Sequence, residues 1–385
     1  MRIEIKDLKN TISKINLAIE KNKINPQAGW IEIKTVSDSK IVFKVSNYDY
    51  YLQASVNAIC DSDYKELHVT INSDTFIPLI SKLDCDFIEI NEGFNSLIIS
   101  TDTNSYTFPT IKEYGVTKKL NTIDFTDSVY AEEMLGSDIS TIASINAKGL
   151  TDVIYSKEIQ KFVFMDKEGA ITFTENIYIN NFSKEYDTII PILLNITQAK
   201  LLTIFEDIDK VTVDIETQKS FSANRKVKFK SNNIELICVI PSQELTEKFP
   251  SIKLREIANK IRDTHIIIDK KQLDKALSRL MVFDKKFDIT ECFYSKILFE
   301  ENQMKLISIK NNNYEIIPYI SSTNSFKHES IIRFADLVKQ LKPRTTKTID
   351  ISYGQSSAIM VNSSFSQLIP EINPVLEDCL WLVII

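Results

Sequence analysis

The stretch FADLVKQLKPRTTKTIDIS, residues 334–352, carries a helix pattern followed directly by a strand pattern. Its apolar residues Phe334, Leu337 and Leu341 are spaced as on one face of an α-helix. Residues 348–352 then alternate between polar and isoleucine side chains, which is the period of a half-buried β-strand. The stretch therefore predicts a short helix packed on a sheet, and so an α+β fold.

The same pattern occurs twice earlier in the chain, which indicates an internal repeat. The matching stretches are INSDTFIPLISKLDCDFIEI from residue 71 and NITQAKLLTIFEDIDKVTVDI from residue 195. Ser73 and Thr197 are the expected N-caps of the two helices.

Each of the three stretches follows another helix pattern and a strand hairpin. The helix patterns read LKNTISKINLAIEKN, DISTIASINA and KKQLDKALSRLMVF. Hairpin-turn signals stand at 37–39, 167–169 and 301–302. We therefore predict three α+β domains of similar size, with bounds at 1–125, 126–253 and 254–385.

Composition is that of a globular chain of 385 residues, 43% hydrophobic and 25% charged. No apolar run approaches the ~20 residues of a membrane span, and the polar N-terminus has no signal-peptide pattern. Five scattered cysteines predict reduced thiols and a cytoplasmic location. A net charge of −6 argues against non-specific wrapping of nucleic acid over the whole surface, although it allows a local basic patch.

Motifs for catalysis and cofactor binding are missing from the sequence. Seven unclustered glycines form no phosphate-binding loop, and three distant histidines form no metal-ligand spacing. No serine or cysteine stands in a recognisable nucleophile motif. We therefore predict no catalytic residue, no metal and no cofactor.

The repeats resemble the bacterial DNA sliding clamp, the β subunit of replicative DNA polymerase III, over essentially the full chain. QKFVFMDKEGAITFTENIYI, from residue 160, follows the family's NGxLFE and DGxLxLxATDGHRL run element by element. KVSNYDYYLQASV stands in the place of its TATD-like stretch, Phe249–Pro250 matches its FP turn, and RFADLVKQLKP resembles its NxxYLxDxLxAL helix. The match is diverged, which leaves chromosomal, phage and plasmid origins open.

The resemblance implies three tandem clamp domains per chain, with helices lining a channel and antiparallel sheets outside. Two chains would form a head-to-tail ring around duplex DNA, without base readout and without catalysis. The implied partners are double-stranded DNA, a replicative DNA polymerase, a clamp loader, repair or replication proteins with clamp-binding peptides, and a second copy of the chain. No membrane is implied.

The resemblance also implies three sets of site residues. Those expected to face DNA are Lys14, Lys21, Lys23, Lys148, Lys157, Lys200, Lys271, Lys275, Arg279, Lys339 and Lys342. Those expected at the dimer interface are Tyr106, Phe108, Met281, Val282 and Phe287. Those expected in a partner-peptide pocket between the second and third domains are Ile159, Thr174, Asn176, Ile177, Tyr178, Ile179, Pro250, Leu254, Ser357, Trp381, Leu382, Val383 and Ile384.

Alternatives to these roles remain open. A lysine on an amphipathic helix is equally well explained as part of its solvated face, although Lys271, Lys275 and Arg279 share one face. Met281 and Val282 are equally well explained by packing within their own domain. The family's DGHRL becomes ENIYI and its MPMRL ending becomes WLVII, which predicts a more apolar, differently shaped pocket. The function alternatives are a monomeric clamp-fold regulator that sequesters clamp-binding peptides, and an enzyme on an α+β scaffold.

Overall fold

A computed structural model describes most of the chain. The described residues are 1–20, 26–59, 66–113, 116–117, 123, 125, 128–136, 139, 162–166, 169–173, 177–180, 192–216, 223–242, 244, 261, 264–284, 295–308, 312–342, 344–354, 358–363 and 366–371. Among them, no helix is long and apolar enough to span a membrane.

Helices and strands alternate as the repeat predicts. The helices with described bounds are α1 (Ile5–Leu17), α2 (Ser73–Lys82), α3 (Ile196–Leu201), α4 (Lys270–Asp284) and α5 (Phe334–Leu341). Short 3-10 turns cover Pro26–Gly29 and Leu202–Ile204.

The strands fall into three successive groups along the chain. The first group is β1 (Arg2–Glu4), β2 (Trp30–Ser37), β3 (Lys40–Ser46), β4 (Tyr50–Asn57), β5 (His68–Asn72), β6 (Phe87–Gly93), β7 (Ser96–Ser100), β8 (Ser105–Pro109), β9 (Lys112–Glu113) and β10 (Val116–Thr117). The second is β11 (Ser128–Leu135), β12 (Phe162–Asp166), β13 (Gly169–Phe173), β14 (Ile177–Asn180), β15 (Ile192–Asn195), β16 (Lys210–Glu216), β17 (Arg225–Lys230) and β18 (Ile234–Ile240). The third is β19 (His265–Asp269), β20 (Ser295–Phe299), β21 (Gln303–Ser308), β22 (Tyr314–Pro318), β23 (Ser321–Thr323), β24 (His328–Ile332), β25 (Thr348–Ser352), β26 (Ala358–Asn362) and β27 (Ser366–Pro370).

All strand pairs described in these sheets are antiparallel. The predicted hairpins are present, since β2 pairs with β3, β12 with β13 and β20 with β21. Helices and antiparallel sheets together confirm the α+β class.

The N-termini of α2 and α3 are capped by asparagine, not by the predicted serine and threonine. The Asn72 side chain accepts a hydrogen bond from the Asp74 backbone N–H at 2.8 Å, so Ser73 is already the first helical residue. Asn195 accepts from the backbone N–H of Gln198, whose side chain accepts from the backbone N–H of Asn195. This reciprocal pair is a capping box that satisfies two backbone donors. The prediction was wrong by one or two residues because asparagine caps as well as serine does.

The chain divides into two compact units, each built from two segments. The first unit comprises Met1–Ser140 and Leu201–Gln243. It holds a four-stranded sheet in the order β1-β6-β7-β8 and an eight-stranded sheet in the order β11-β16-β17-β18-β4-β3-β2-β5.

The eight-stranded sheet joins two copies of the repeat through β18 and β4. Leu236 lies opposite Leu52, and Cys238 lies opposite Tyr50. Leu52, Leu236 and Cys238 have no exposed surface and Tyr50 is 1% exposed, so this joint is part of the hydrophobic core. Burial raises the pKa of the Tyr50 hydroxyl and of the Cys238 thiol above their usual values.

The second unit comprises Thr141–Lys200 and Glu244–Ile385. Its sheets have the orders β14-β13-β12-β15, β23-β19-β25-β26-β27 and β22-β21-β20-β24. Helices α4 and α5 share one buried apolar core with the last two of these sheets, and Leu277 and Leu337 are fully buried in it. Edge strand β14 lies beside edge strand β27.

The repeat keeps a constant length in its second half. Fourteen residues separate the start of the helix from the start of the next strand in α2–β6 (73 to 87), α3–β16 (196 to 210) and α5–β25 (334 to 348). The later strands of the predicted second domain join the sheet of the first, so the compact units do not follow the predicted bounds. The division at 125 and 253 stays a prediction.

Candidate functional site: basic helices and open sheet edges

The residues expected to face DNA lie on several described helices. Lys14 is on α1, Lys200 is exposed on α3, and Lys342 is exposed directly after α5. Lys271, Lys275 and Arg279 are exposed on α4, as their common face predicts, and Lys339 belongs to α5. The remaining members of this set lie outside the described residues: Lys21, Lys23, Lys148 and Lys157.

Lys14 is held by a carboxylate of the neighbouring repeat. Its Nζ atom lies 2.6 Å from Glu206 Oε1, which also accepts a hydrogen bond from Asn10 Nδ2 at 3.0 Å. These hydrogen bonds hold the pKa of Glu206 below its usual value, because both stabilise the charged carboxylate. The contact links α1, in the repeat that contains β4, to the turn before β16, in the repeat that contains β18.

Arg279 is bound to the edge strand β22. Its Nε and Nη2 atoms each donate to one carboxylate oxygen of Glu315 at 2.7 Å. This bidentate hydrogen bond lowers the pKa of Glu315, because it stabilises the charged carboxylate. Lys275 and Lys271, one and two turns before Arg279 on α4, form no ion pair with any described residue.

The residues expected at the dimer interface divide between β8 and the end of α4. Tyr106 is half-buried on β8, and Phe108 is buried against Phe76 of α2, with ring centroids 5.6 Å apart. Met281 is half-buried on α4, and Val282 is 58% exposed. Phe287 lies outside the described residues.

β22 is a second candidate interface strand, which was not predicted from the sequence. β22 and β8 are both edge strands, and they share one pattern of exposure along five residues that end in proline, YEIIP and SYTFP. Tyr314 and Ile316 of β22 are 55% and 48% exposed, which is unusual for apolar side chains on an unprotected edge. The YEIIP sequence itself offered the signal, since it repeats the pattern of SYTFP.

The predicted peptide pocket lies largely outside the described residues. Ile177, Tyr178 and Ile179 lie on β14, which lies beside β27. The peptide pocket itself stays a prediction. Its members that lie outside them are Ile159, Thr174, Asn176, Pro250, Leu254, Ser357, Trp381, Leu382, Val383 and Ile384.

One polar cluster has the residue types of a catalytic triad without its geometry. His265 Nδ1 lies 3.0 Å from Ser352 Oγ and 3.0 Å from Asp350 Oδ2. A triad requires the two partners on opposite ring nitrogens, so that one nitrogen takes the serine proton while the carboxylate orients the imidazole through the N–H of the other. Here both share one nitrogen, and the cluster is a hydrogen-bonded tie across β19 and β25. Within the described ranges, no group of three or more His, Cys, Asp or Glu residues is placed to hold a metal ion.

Comparison with known proteins gives the fold but no sequence family. No protein-family model matches the chain, and no curated protein matches it significantly. The DNA polymerase III beta subunit of Thermotoga maritima superposes with a TM-score of 0.72 at 16% identity, over 97% of this chain and 98% of that one. The DNA polymerase sliding clamp of Bacillus subtilis gives 0.69 at 13% identity, over 97% and 98%.

A third solved structure, the DNA polymerase sliding clamp of Pseudomonas aeruginosa, gives a TM-score of 0.73 at 10% identity, over 97% of this chain and 99% of that one. Likeness over nearly the full length of each chain leaves no large segment unmatched. Identities of 10–16% show how far the sequence has diverged from these structures. The chain therefore adopts the fold of the DNA polymerase III beta sliding clamps.

Proposed function

We propose that this chain is a DNA polymerase processivity factor. Two copies associate head to tail in a ring that encircles duplex DNA, slides along it and tethers a replicative polymerase. The sliding-clamp fold supports this role, and so does the absence of catalytic motifs from the sequence. Such a protein acts by enclosing DNA. Its residues bind DNA and polymerase and position them, and none takes part in a chemical reaction.

The pairing of β18 with β4 is the observation that carries the proposal. In the repeat, β18 is the last strand of one copy, and β4 is the fourth strand of the copy before it. Strands β27 and β14 hold the same two places and lie side by side. One last strand, β8, and one fourth strand, β22, remain without such a neighbour, and both lie on open sheet edges.

A second copy of the chain supplies the missing partner for each edge. If β8 of one copy pairs with β22 of the other, the same joint recurs at every boundary between repeats. The interface is then heterologous, and two such joints close the assembly into a dimer. Pairing also covers Tyr314 and Ile316, whose exposure on a free edge invites aggregation.

Contact with DNA is weak and non-specific in this proposal. Lys271 and Lys342 are exposed on or beside helices that would line the channel. A few such cations attract phosphates without reading bases, and a net charge of −6 limits binding elsewhere on the surface. The ring holds DNA by enclosing it, so tight binding is unnecessary.

Partner proteins bind through short peptides in this proposal. The pocket would lie where β14 meets β27, and polymerase, clamp loader and repair proteins would compete for it. Because ENIYI and WLVII replace the family's DGHRL and MPMRL, the pocket favours its own polymerase's motif over peptides that fit methionine-rich clamps. The location would be the cytoplasm, with the replication machinery.

Retention on circular DNA tests the proposal. The protein is diluted until dimers separate, mixed with nicked circular plasmid, concentrated, and passed over a sizing column in high salt. We expect protein to stay with circular plasmid and to leave after a single restriction cut. Equal retention on circular and cut plasmid would refute encirclement. A monomeric mass at micromolar concentration would instead favour a regulator that sequesters peptides.

A further inference from the structure

Helices α1 and α4 hold equivalent places in the repeat. Four buried positions of α1, at 8, 11, 12 and 15, recur in α4 at 273, 276, 277 and 280, displaced by a constant 265 residues. Each helix directly follows the first strand of its repeat, β1 or β19. This alignment puts Arg279 in the place of Lys14, and Lys275 in the place of Asn10.

The turns after α2 and α3 are equivalent in the same way. Both helices begin after an asparagine, at 73 and 196, and the following strands begin at 87 and 210. The displacement is 123 residues at both points, so no residue is inserted between them. Leu83–Asp86 therefore stands in the place of Glu206–Asp209.

The surface of α1 and the turn after α3 are in contact where the structure joins two repeats. Asn10 and Lys14 of α1 both bind Glu206, in the turn that follows α3, beside the β18–β4 joint. The corresponding groups at the β8–β22 joint are Lys275 and Arg279 on one side, and the turn containing Asp84 and Asp86 on the other.

We propose that Lys275 and Arg279 of one copy contact Asp84 and Asp86 of a second copy across the ring-closing joint. The inference rests on the proposed head-to-tail dimer, and it moves these two cations from DNA contact to subunit contact. The partner surface is the turn after α2, next to the edge that β8 offers.

Charge and exposure fit this contact. All four side chains are exposed, and Lys275, Asp84 and Asp86 form no side-chain ion pair within the described part of the chain. The carboxylate at Asp84 stands one residue later than Glu206 does in its turn, and the arginine side chain is longer than that of Lys14. Two cations on one surface thus meet two anions on the other, which fixes orientation as well as affinity.

Glu315 prepares Arg279 for this role. It binds the Nε and Nη2 sides of the guanidinium and holds it at β22, the strand that β8 would pair with. Arginine has five N–H donors, so about three remain for a further carboxylate. A guanidinium that is already fixed loses less conformational entropy on binding than a mobile one, so the contact costs less free energy to form.

Charge reversal with rescue tests the contact, with the dimer dissociation constant measured by sedimentation velocity on the full chain. We expect Arg279→Glu alone, and Asp84→Lys with Asp86→Lys, each to raise that constant about tenfold or more. Combining these three changes with Lys275→Glu in one chain should restore it to within about threefold of wild type, because both charge pairs of each joint are then reversed together. Asp38→Lys, an exposed change in the turn between β2 and β3, should leave it unchanged.

The outcomes separate this contact from the dimer itself. If wild type forms dimers and the reversals do not weaken them, or the combination does not rescue them, the contact is refuted and the ring stands. If wild type forms no dimer at any concentration, the proposed function fails first. If Arg279→Glu changes only the salt dependence of DNA binding, Arg279 is a DNA contact and the inference is wrong.

Discussion

Replacing Thr107 with proline should open the proposed ring while leaving each chain folded. Backbone hydrogen bonds at both ends of the β7–β8 pair fix which residues bond within the sheet. Because bonded positions alternate along an antiparallel pair, the N–H groups of Tyr106 and Phe108 point to β7. Those of Ser105 and Thr107 point to the open edge, where proline is tolerated.

The expected loss follows from the hydrogen bonds that the second copy would supply. Each edge presents two N–H donors before its terminal proline, so the joint holds about four backbone hydrogen bonds. Removing the Thr107 donor costs about 1 kcal/mol, and the carbonyl left unpaired in the buried joint adds about 2 kcal/mol. Because the substitution acts at both joints of the dimer, the total loss is about 6 kcal/mol, which raises the dimer dissociation constant by roughly four orders of magnitude.

Sedimentation velocity over a concentration series measures this constant. Thermal unfolding at protein concentrations below the dissociation constant measures the stability of the monomer. Thr107→Val is the matched control, because valine keeps the backbone N–H and the shape of threonine. Ile316→Pro tests the same joint from β22, whose open-edge donors are Tyr314 and Ile316 by the same alternation. A wild-type dissociation constant for both folded proline variants would refute the β8–β22 joint.

Three further changes test other parts of the reasoning. Lys271→Glu with Lys342→Glu should flatten the dependence of log affinity for duplex DNA on log salt by about 0.9 per lost phosphate contact, whereas an unchanged slope would remove both from the DNA surface. The pKa of Glu206 is lowered in the fold by Lys14, so its carboxylate stabilises the fold above its unfolded pKa of about 4.3, and this gain disappears as pH falls through the folded value. Urea titrations of Glu206→Gln and wild type should therefore differ at pH 7 and converge in acid, and a gap that persists in acid would contradict the charge mechanism. Leu236→Ala, at a fully buried position of the β18–β4 joint, should cost about 2–5 kcal/mol of unfolding free energy, and a loss below about 1 kcal/mol would show that the joint contributes little core.

Local structure was predictable from the sequence because it depends on neighbouring residues. The apolar spacing of Phe334, Leu337 and Leu341 gave a helix that the structure places at Phe334–Leu341, followed by a strand at Thr348–Ser352. Hairpins were equally accessible, since turn residues separate alternating runs. The helix caps were missed because asparagine and serine stand side by side at residues 72 and 73, and propensity does not choose between them.

Contacts between repeats could not be predicted in the same way. Lys14 and Glu206 are 192 residues apart, and neither carries a local signal that it will meet the other. Arg279 illustrates the same limit, because its position on the face of Lys271 and Lys275 indicated solvent exposure correctly but not the bond to Glu315. Helix periodicity fixes which way a side chain points, whereas its partner depends on the whole fold.

In the proposed ring, the equivalence of Lys14 and Arg279 would let one charge pattern serve two opposed needs. A ring must hold its subunits firmly and its DNA loosely, and both tasks attract basic residues to the same helices. Cations engaged by carboxylates at joints between repeats are withdrawn from the phosphates, so stronger joints mean weaker DNA contact. Opening a joint should therefore release DNA at every salt concentration, whereas removing Lys271 should only shift the salt dependence of binding. Retention would then follow ring closure and not the affinity of the channel for phosphate.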